Sequence, residues 1–389
     1  MEAVGIIAEY NPLHLGHLWH LQETKKALGL PVIAVISGSF MQRGEPAFAS
    51  KWLRARMAVD HGVDVVFELP TAFSLRSAEF FAQGGVKLLQ ATGIVAKLSC
   101  GAEDADLDYS SLATQILAPA AQEEIQTLLK QGQPYAKACE LVLKTDSSCL
   151  NKPNNILALE YAKALLNTNI KQTIIARRGS GYNNTTLTEL ASATAIRSAY
   201  AQNEPWQKAM PSAAVQLITQ HPTEIAWDEQ KLWLLLAYRL RTSPPAKIAS
   251  ATTASEGLEN LLAKAANAAG LAEAVSLCTN KRYPSSRIRR LLMQLLLAKP
   301  KCYFEQLEPA YLRVLAFSET GRKLLGEIKK KAALPLLTKL GRNPFDHQST
   351  AFRQQLELDI AASDILGLLR PAPQPIGSDY LTSPYYLRS

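Results

Sequence analysis

The sequence predicts an α/β protein, with a doubly wound parallel sheet in its N-terminal part and a mainly α-helical C-terminal part. Three observations point to this. Short β-branched apolar runs alternate with helical periodicity through the first half, as in a parallel sheet with crossover helices. Polar, glycine-containing loops recur directly after those runs, at the edge where an open parallel sheet binds its ligands. From about Glu204 the strand pattern stops and helical stripes continue.

The elements follow in order. Ala3–Ala8, Pro31–Ile36, Asp64–Phe67, Ile94–Ser99 and Gln172–Ala176 read as short buried strands, being apolar runs without the alternation of a half-exposed strand. Helices are expected at about Leu18–Leu28, Ser50–His61 and Ser77–Ala91. Three more over Ala105–Thr145 and one over about Asn155–Leu166 form a helical insertion, about residues 105–166, before the fifth strand. Later helices are expected at Trp227–Arg241, Gly257–Ala268 and Ser286–Ala298. In the last, Ile288, Leu291, Leu292, Leu295 and Leu296 form one apolar stripe, which leaves Arg287, Arg289 and Arg290 off the core face. Pro205, Pro211, Pro244 and Pro245 punctuate the change of pattern, so the expected units are residues 1–204 and 205–389. The tail after Pro371 is expected to be irregular or to dock as an arm.

Composition bounds the class. With 389 residues, 47% of them hydrophobic and 20% charged, the chain is globular rather than disordered and exceeds one ordinary core. It has no apolar run of about 18 residues and no signal-peptide pattern, so no membrane association and a cytoplasmic location are expected. Cys100, Cys139, Cys149, Cys278 and Cys302 form no C-x-x-C pair, so neither a protein-held metal nor a disulfide framework is expected. The net charge of +8 is local: Lys281–Lys331 carries 13 Lys/Arg against 4 Asp/Glu. Such a surface suits a polyanion, although charge runs also form ordinary solvated helix faces.

The chemistry concentrates at the first strand end. His14-Leu-Gly-His17 opens a helix immediately after a buried strand, and a helix N-terminus offers unpaired N–H groups and partial positive charge to phosphate. Gly16 lets a nucleotide approach the backbone. Ser192, Thr194 and Arg197 form a second phosphate element or an ordinary N-cap. Lys51 is either part of the cationic set or a solvated residue of an amphipathic helix.

The strings Glu9-Tyr-Asn-Pro-Leu-His-Leu-Gly-His17, Ser37-Gly-Ser-Phe-Met-Gln-Arg-Gly-Glu-Pro46, Phe67-Glu-Leu-Pro70, Lys152-Pro-Asn-Asn-Ile-Leu157 and Lys281-Arg-Tyr283 together resemble the bacterial tRNA(Met) cytidine acetate ligase family. That family is one branch of the H-x-G-H nucleotidyltransferases with a Rossmann-like sheet. The resemblance implies activation of acetate by ATP, with Mg²⁺ on the triphosphate. It further implies acetyl transfer to the wobble cytidine of elongator tRNA(Met). In that family ATP is held by the first strand-turn-helix, here Ile7, Ala8, Glu9, Tyr10, Asn11, Pro12, Leu13, His14, Leu15, Gly16, His17, Leu18, Trp19 and His20. A glycine after the fourth strand matches Gly101, an asparagine matches Asn154 or Asn155, and an arginine matches Arg177, with Arg178 beside it.

The chain departs from the family pattern at Leu13, Leu15, Cys100 and Asn184. The catalytic expectation falls on His14, His17 and Lys51, with Arg177 neutralising phosphate charge. The tRNA expectation falls on Lys281, Arg282, Arg287, Arg289, Arg290, Lys329, Lys330 and Lys331. Reversing Arg289 and Arg290 to Glu is expected to weaken tRNA binding and spare ATP–pyrophosphate exchange. A small-molecule adenylyltransferase shares the phosphate motifs but leaves the basic helical half unexplained. A non-catalytic RNA-binding protein would not need His17.

Overall fold

A computed structural model of the protein describes residues 1–143, 150, 152–177, 191–255 and 257–388. Its centre is a sheet with strand order β5-β4-β1-β2-β3-β6-β7, in which β8 also pairs with β6. β1 (Ala3–Ala8), β2 (Val32–Ser37), β3 (Val65–Leu69), β4 (Val95–Ala102) and β5 (Lys171–Ala176) are parallel. These are the five expected strands, each within about three residues at either end. β1 is flanked by β2 and β4, so the chain order reverses between β1 and β4. Ligands bind outside the strand ends at such a switch point.

β2 shows why these runs read as continuous hydrophobics. Ile33 and Val35 enter one core with Phe81 and Leu89 from the helix Ala78–Ala91. Val32, Ala34 and Ile36 enter the opposite core with Leu53 and Met57 from the helix Lys51–Asp60. All six β2 residues are buried, and each fully buried Val or Ile contributes roughly 1.5–3 kcal/mol.

The expectation that strands end near Glu204 is corrected. β6 (Leu312–Ser318) pairs antiparallel with β3, and β7 (Leu336–Leu337) and β8 (Tyr385–Leu387) pair with β6. Arg313 interrupts the apolar run of β6, yet it is 1% exposed because Asp379 accepts from it at 3.1 Å. The tail is therefore ordered, with a short helix Ser378–Leu381 followed by β8. Between the sheet strands from the second half lie mainly helices, the longest being Thr350–Leu369.

Candidate active site

A cavity of about 480 Å³ opens at the carboxyl ends of β1 and β4. The β1 end contributes Ile6 to Asn11, and the next helix, Leu15–Leu28, contributes Gly16, His17, Trp19 and His20 behind its cap His14. Gln42 and Arg43 come from the loop after β2, and Cys100 and Gly101 from β4. The helix Pro153–Leu165 adds Asn154 and Tyr161, Arg177 follows β5, and Ser192 and Arg197 stand opposite.

His14 and His17 form a capping box. Nδ1 of His14 accepts from Gly16 N at 3.0 Å, and Nδ1 of His17 accepts from His14 N at 3.4 Å. The rings stack with centroids 3.7 Å apart. With each Nδ1 engaged as an acceptor, a neutral ring carries its proton on Nε2. Burial lowers His14 to about 3, and Arg177 adds to the effect. Burial also holds His17 well below its ordinary value, with His14, Arg177 and His20 contributing. His20 falls to about 4 by burial and Arg177, and its Nε2 lies 3.1 Å from Ser99 Oγ. The pair therefore offers two neutral Nε2–H donors beside a helix N-terminus.

A Cβ on Gly16 would stand 2.9 Å from the His14 ring. The glycine thus protects the histidine stack as well as leaving the backbone open.

These shifts have a pH consequence. An unfolded histidine binds a proton near 6.5, whereas folded His14 and His20 resist until about 3 and 4. Between those values the unfolded state holds more protons, so stability falls as pH drops below about 6.5. Thermal midpoints measured from pH 8 to 4 are expected to decline in this way, and less steeply in His20→Gln. Equal slopes for the two proteins would reject a neutral buried His20.

The wall is held from behind. Arg54 is fully buried and donates to the carbonyls of Ala49 at 3.0 Å, Glu9 at 2.7 Å and Gly38. It thereby ties the loops after β1 and β2 together. Glu9 Oε1 accepts from Gln42 N at 2.7 Å, and burial raises the Glu9 carboxyl above its ordinary value. Asn154 and Asn155 separate in role. Asn154 lines the cavity and donates to Glu103 at 2.6 Å. Asn155 is 0% exposed, and its Oδ1 accepts from Glu103 N, Asp104 N and Tyr109 Oη, so it fastens the turn after β4.

Several expected residues lie elsewhere. Pro12, Leu13, Leu15 and Leu18 do not line the cavity; Leu13 is 1% exposed and belongs to the core. Thr194 lines a smaller adjoining pocket instead. Arg178 and the Tyr182-Asn183-Asn184 segment lie outside the described residues.

Lys51 is neither in the cavity wall nor solvated. Its Nζ lies 2.8 Å from Glu68 and 2.8 Å from Asp379, at 2% exposure. Burial opposes its charge, but Asp379 and Glu68 outweigh that and hold the ammonium above its ordinary value. Helical periodicity placed Lys51 on a polar face; the tail and β3 turn that face inward.

The basic residues divide into two groups. The helix Ser285–Leu297 brings Ser285 and Ser286 into the cavity wall. Lys281 and Arg282 are exposed just before it, and Arg287 stands 5.0 Å from the Tyr283 ring. Arg290 donates to Gln42 O at 3.2 Å, and burial lowers it to about 10. Gly44, at φ 77°, brings the same loop so close that a Cβ would stand 2.4 Å from Arg290 N. Arg290 therefore supports the Gln42 loop that holds Glu9, and reversing it does not isolate RNA binding.

Lys329, Lys330 and Lys331 end the helix Glu319–Lys331, and Lys331 packs against Gly93, just ahead of β4. The stretch from Gly93 along β4 to Cys100 in the cavity wall spans roughly 23 Å.

Gln42, Arg43, Tyr161, Ser285 and Ser286 were not among the site residues expected from sequence. The loop after β2 carried a signal in its position at a strand end. The serines carried none, because only tertiary packing brings their helix to the sheet.

The comparisons agree with this geometry. The HIGH Nucleotidyl Transferase family model matches residues 1–378. A tRNA(Met) cytidine acetate ligase of Clostridium perfringens is 39% identical over 414 residues, covering 100% of both chains. One from Caldanaerobacter subterraneus is 38% identical over 95% of each chain. Crystal structures of Thermotoga maritima TmcAL superpose with TM-scores of 0.93 for the apo form and 0.91 for the form bound with alpha-thio ATP. Both are 30% identical and cover 100% of each chain. A cavity at the sheet's switch point, walled by an H-x-G-H helix start, thus coincides with full-length similarity, and the chain belongs to the tRNA(Met) cytidine acetate ligase family of HIGH nucleotidyltransferases.

Proposed function

We propose that the protein is an ATP-dependent ligase that makes acetyl-adenylate from acetate and ATP, then acetylates the exocyclic amine of the wobble cytidine of elongator tRNA(Met). The observation that carries this reading is the stacked neutral pair His14 and His17 at a helix start facing the cavity. In the first half-reaction a carboxylate oxygen bonds to the α-phosphorus and the bond to the β-phosphate oxygen breaks. Pyrophosphate leaves with the electron pair. Charge grows on the phosphate oxygens, where the Nε2–H donors, the positive end of the helix dipole and Arg177 are in place and need little reorganisation. In the second, the cytidine amine attacks the acetyl carbonyl, AMP leaves, and the amine loses a proton.

Among the described lining residues Glu9 supplies the only carboxylate, and its Oε1 already accepts from Gln42 N. The wall does not build a cage for Mg²⁺. The ion is expected to arrive on the triphosphate, with phosphate oxygens and water as ligands, and no step above runs through it. We assign ATP to the cavity built mainly from residues 1–204, with Ser285 and Ser286 added from the second part, and tRNA to the basic part of residues 205–389. No described helix is long and apolar enough to cross a membrane, and a cytoplasmic site of action accords with a tRNA substrate.

ATP–pyrophosphate exchange with and without acetate, followed by nucleoside analysis of tRNA(Met), tests the reading. No acetate-dependent exchange, even with tRNA added, would reject it. For the tRNA side, Arg282→Glu with Arg289→Glu is expected to weaken binding and reduce the salt slope by about 2, with exchange unchanged. Reversing Lys329–Lys331 is expected to cost less affinity, given their distance from the cavity. An equal loss in both variants would place the RNA differently.

A further inference from the structure

A second pocket of about 110 Å³ adjoins the large cavity and shares Glu9, Asn11, Arg43 and Arg197 with its wall. Met41, Glu45 and Thr194 complete it and are absent from the wall of the large cavity. We infer that this side pocket is the acyl subsite, holding the carboxylate of a two-carbon acid beside the α-phosphate, with Met41 and Thr194 limiting the chain length accepted. The inference rests on the ligase reading above and assigns residues to its acid substrate.

Size, position and charge each support it. At about 110 Å³ the pocket is under a quarter of the 480 Å³ cavity beside it, a scale that suits a small acid such as acetate, with four non-hydrogen atoms. Glu9 and Asn11 lie between β1 and the histidine turn, so an acid here borders the phosphates that His14 and His17 attract. Arg197 is fixed, donating to Asn11 O at 2.8 Å and Glu45 Oε2 at 3.1 Å. Arg43 adds a second guanidinium, so two cations stand beside the Glu9 and Glu45 carboxyls, and burial raises the Glu9 carboxyl towards its neutral form. Met41 is 2% exposed and packs with Ala47 and Leu366, an apolar end suited to a methyl group. One more methylene would press on Met41.

The activation step balances without a further reactant. The acid's oxygen bonds to the α-phosphorus as the bond to pyrophosphate breaks, and no proton is transferred.

The test is ATP–pyrophosphate exchange with acetate and with propionate, tRNA present, in wild type, Met41→Ala and Thr194→Val. Met41→Ala is expected to raise the propionate-to-acetate ratio of kcat/KM at least tenfold, the scale at which apolar pockets discriminate one methylene. Thr194→Val keeps the volume and removes a hydroxyl, and is expected to raise KM for acetate several-fold. KM for ATP stays within about twofold in both. If Met41→Ala does not fold, Thr194→Val alone decides through its acetate KM. Unchanged acid selectivity and acetate KM, with exchange still acetate-dependent, would overturn the subsite and leave the ligase reading intact. No exchange with any acid in wild type would overturn both.

Discussion

Replacing His17 with alanine is expected to lower acetate-dependent ATP–pyrophosphate exchange by about 10²–10³-fold, the usual effect of removing one preorganised donor from a developing oxyanion. The ring is neutral, so the variant loses the Nε2–H donor together with the long 3.4 Å contact from the His14 amide to Nδ1. KM for ATP is expected to change much less than the rate, because ground-state phosphate keeps the helix N-terminus and Arg177. His17 is a cleaner target than His14, whose Nδ1 caps the helix through Gly16 N. Removing that cap would add about 1 kcal/mol of structural loss. Single-turnover exchange and thermal melting, measured on the same preparation, separate the effects. Near-wild-type exchange in a folded His17→Ala protein would remove the histidine from the chemistry.

Lys51→Met is expected to destabilise the fold by about 3–5 kcal/mol, because breaking a buried ion pair leaves uncompensated charge. Glu68 and Asp379 are each 1% exposed and both lie 2.8 Å from the Lys51 ammonium. Burial already pushes Glu68 up to about 7, against the pull of Lys51. Without the ammonium, the buried carboxyls of Glu68, Asp379 and Asp359 keep Arg313 as their remaining neighbouring cation. Denaturant unfolding measures the loss, and Glu68→Gln in the Lys51→Met background is expected to recover part of it. A catalytic lysine would behave in the opposite way: the fold would keep its midpoint and exchange would collapse.

The sheet was legible because its central parallel strands β1, β2 and β3 are buried on both faces, while β4 and the edge strand β5 are only partly covered. Val32 to Ser37 reads as a strand for the same reason that it is one. The phosphate turn was legible because sequence neighbours build it, with Gly16 and His17 within three residues of the cap.

What failed did so through long-range pairing. β6 lay beyond the expected end of the strands, and the partner that lets its Arg313 be buried, Asp379, is 66 residues further along the chain. Lys51 read as a solvated or catalytic cation because its partners lie 17 and 328 residues away. The choice between Asn154 and Asn155 turned on which side chain faces inward. Helix N-termini rotate by about 100° per residue, and only the turn at Glu103 and Asp104 fixes that phase. Ser285 and Ser286 reached the cavity through packing of a distant helix on the loop at Gly44.

The placement of Asp379 and β8 has a consequence for synthesis. Lys51 and Glu68 emerge early, in the half that carries the phosphate turn, but their third partner lies in the tail. β6 likewise waits for Tyr385–Leu387 to cover its edge. A nascent chain therefore has no finished sheet until residues 379–387 leave the ribosome. Translation order thereby delays completion of the sheet that carries the cavity, and a prematurely terminated product lacks the third member of the buried ion network.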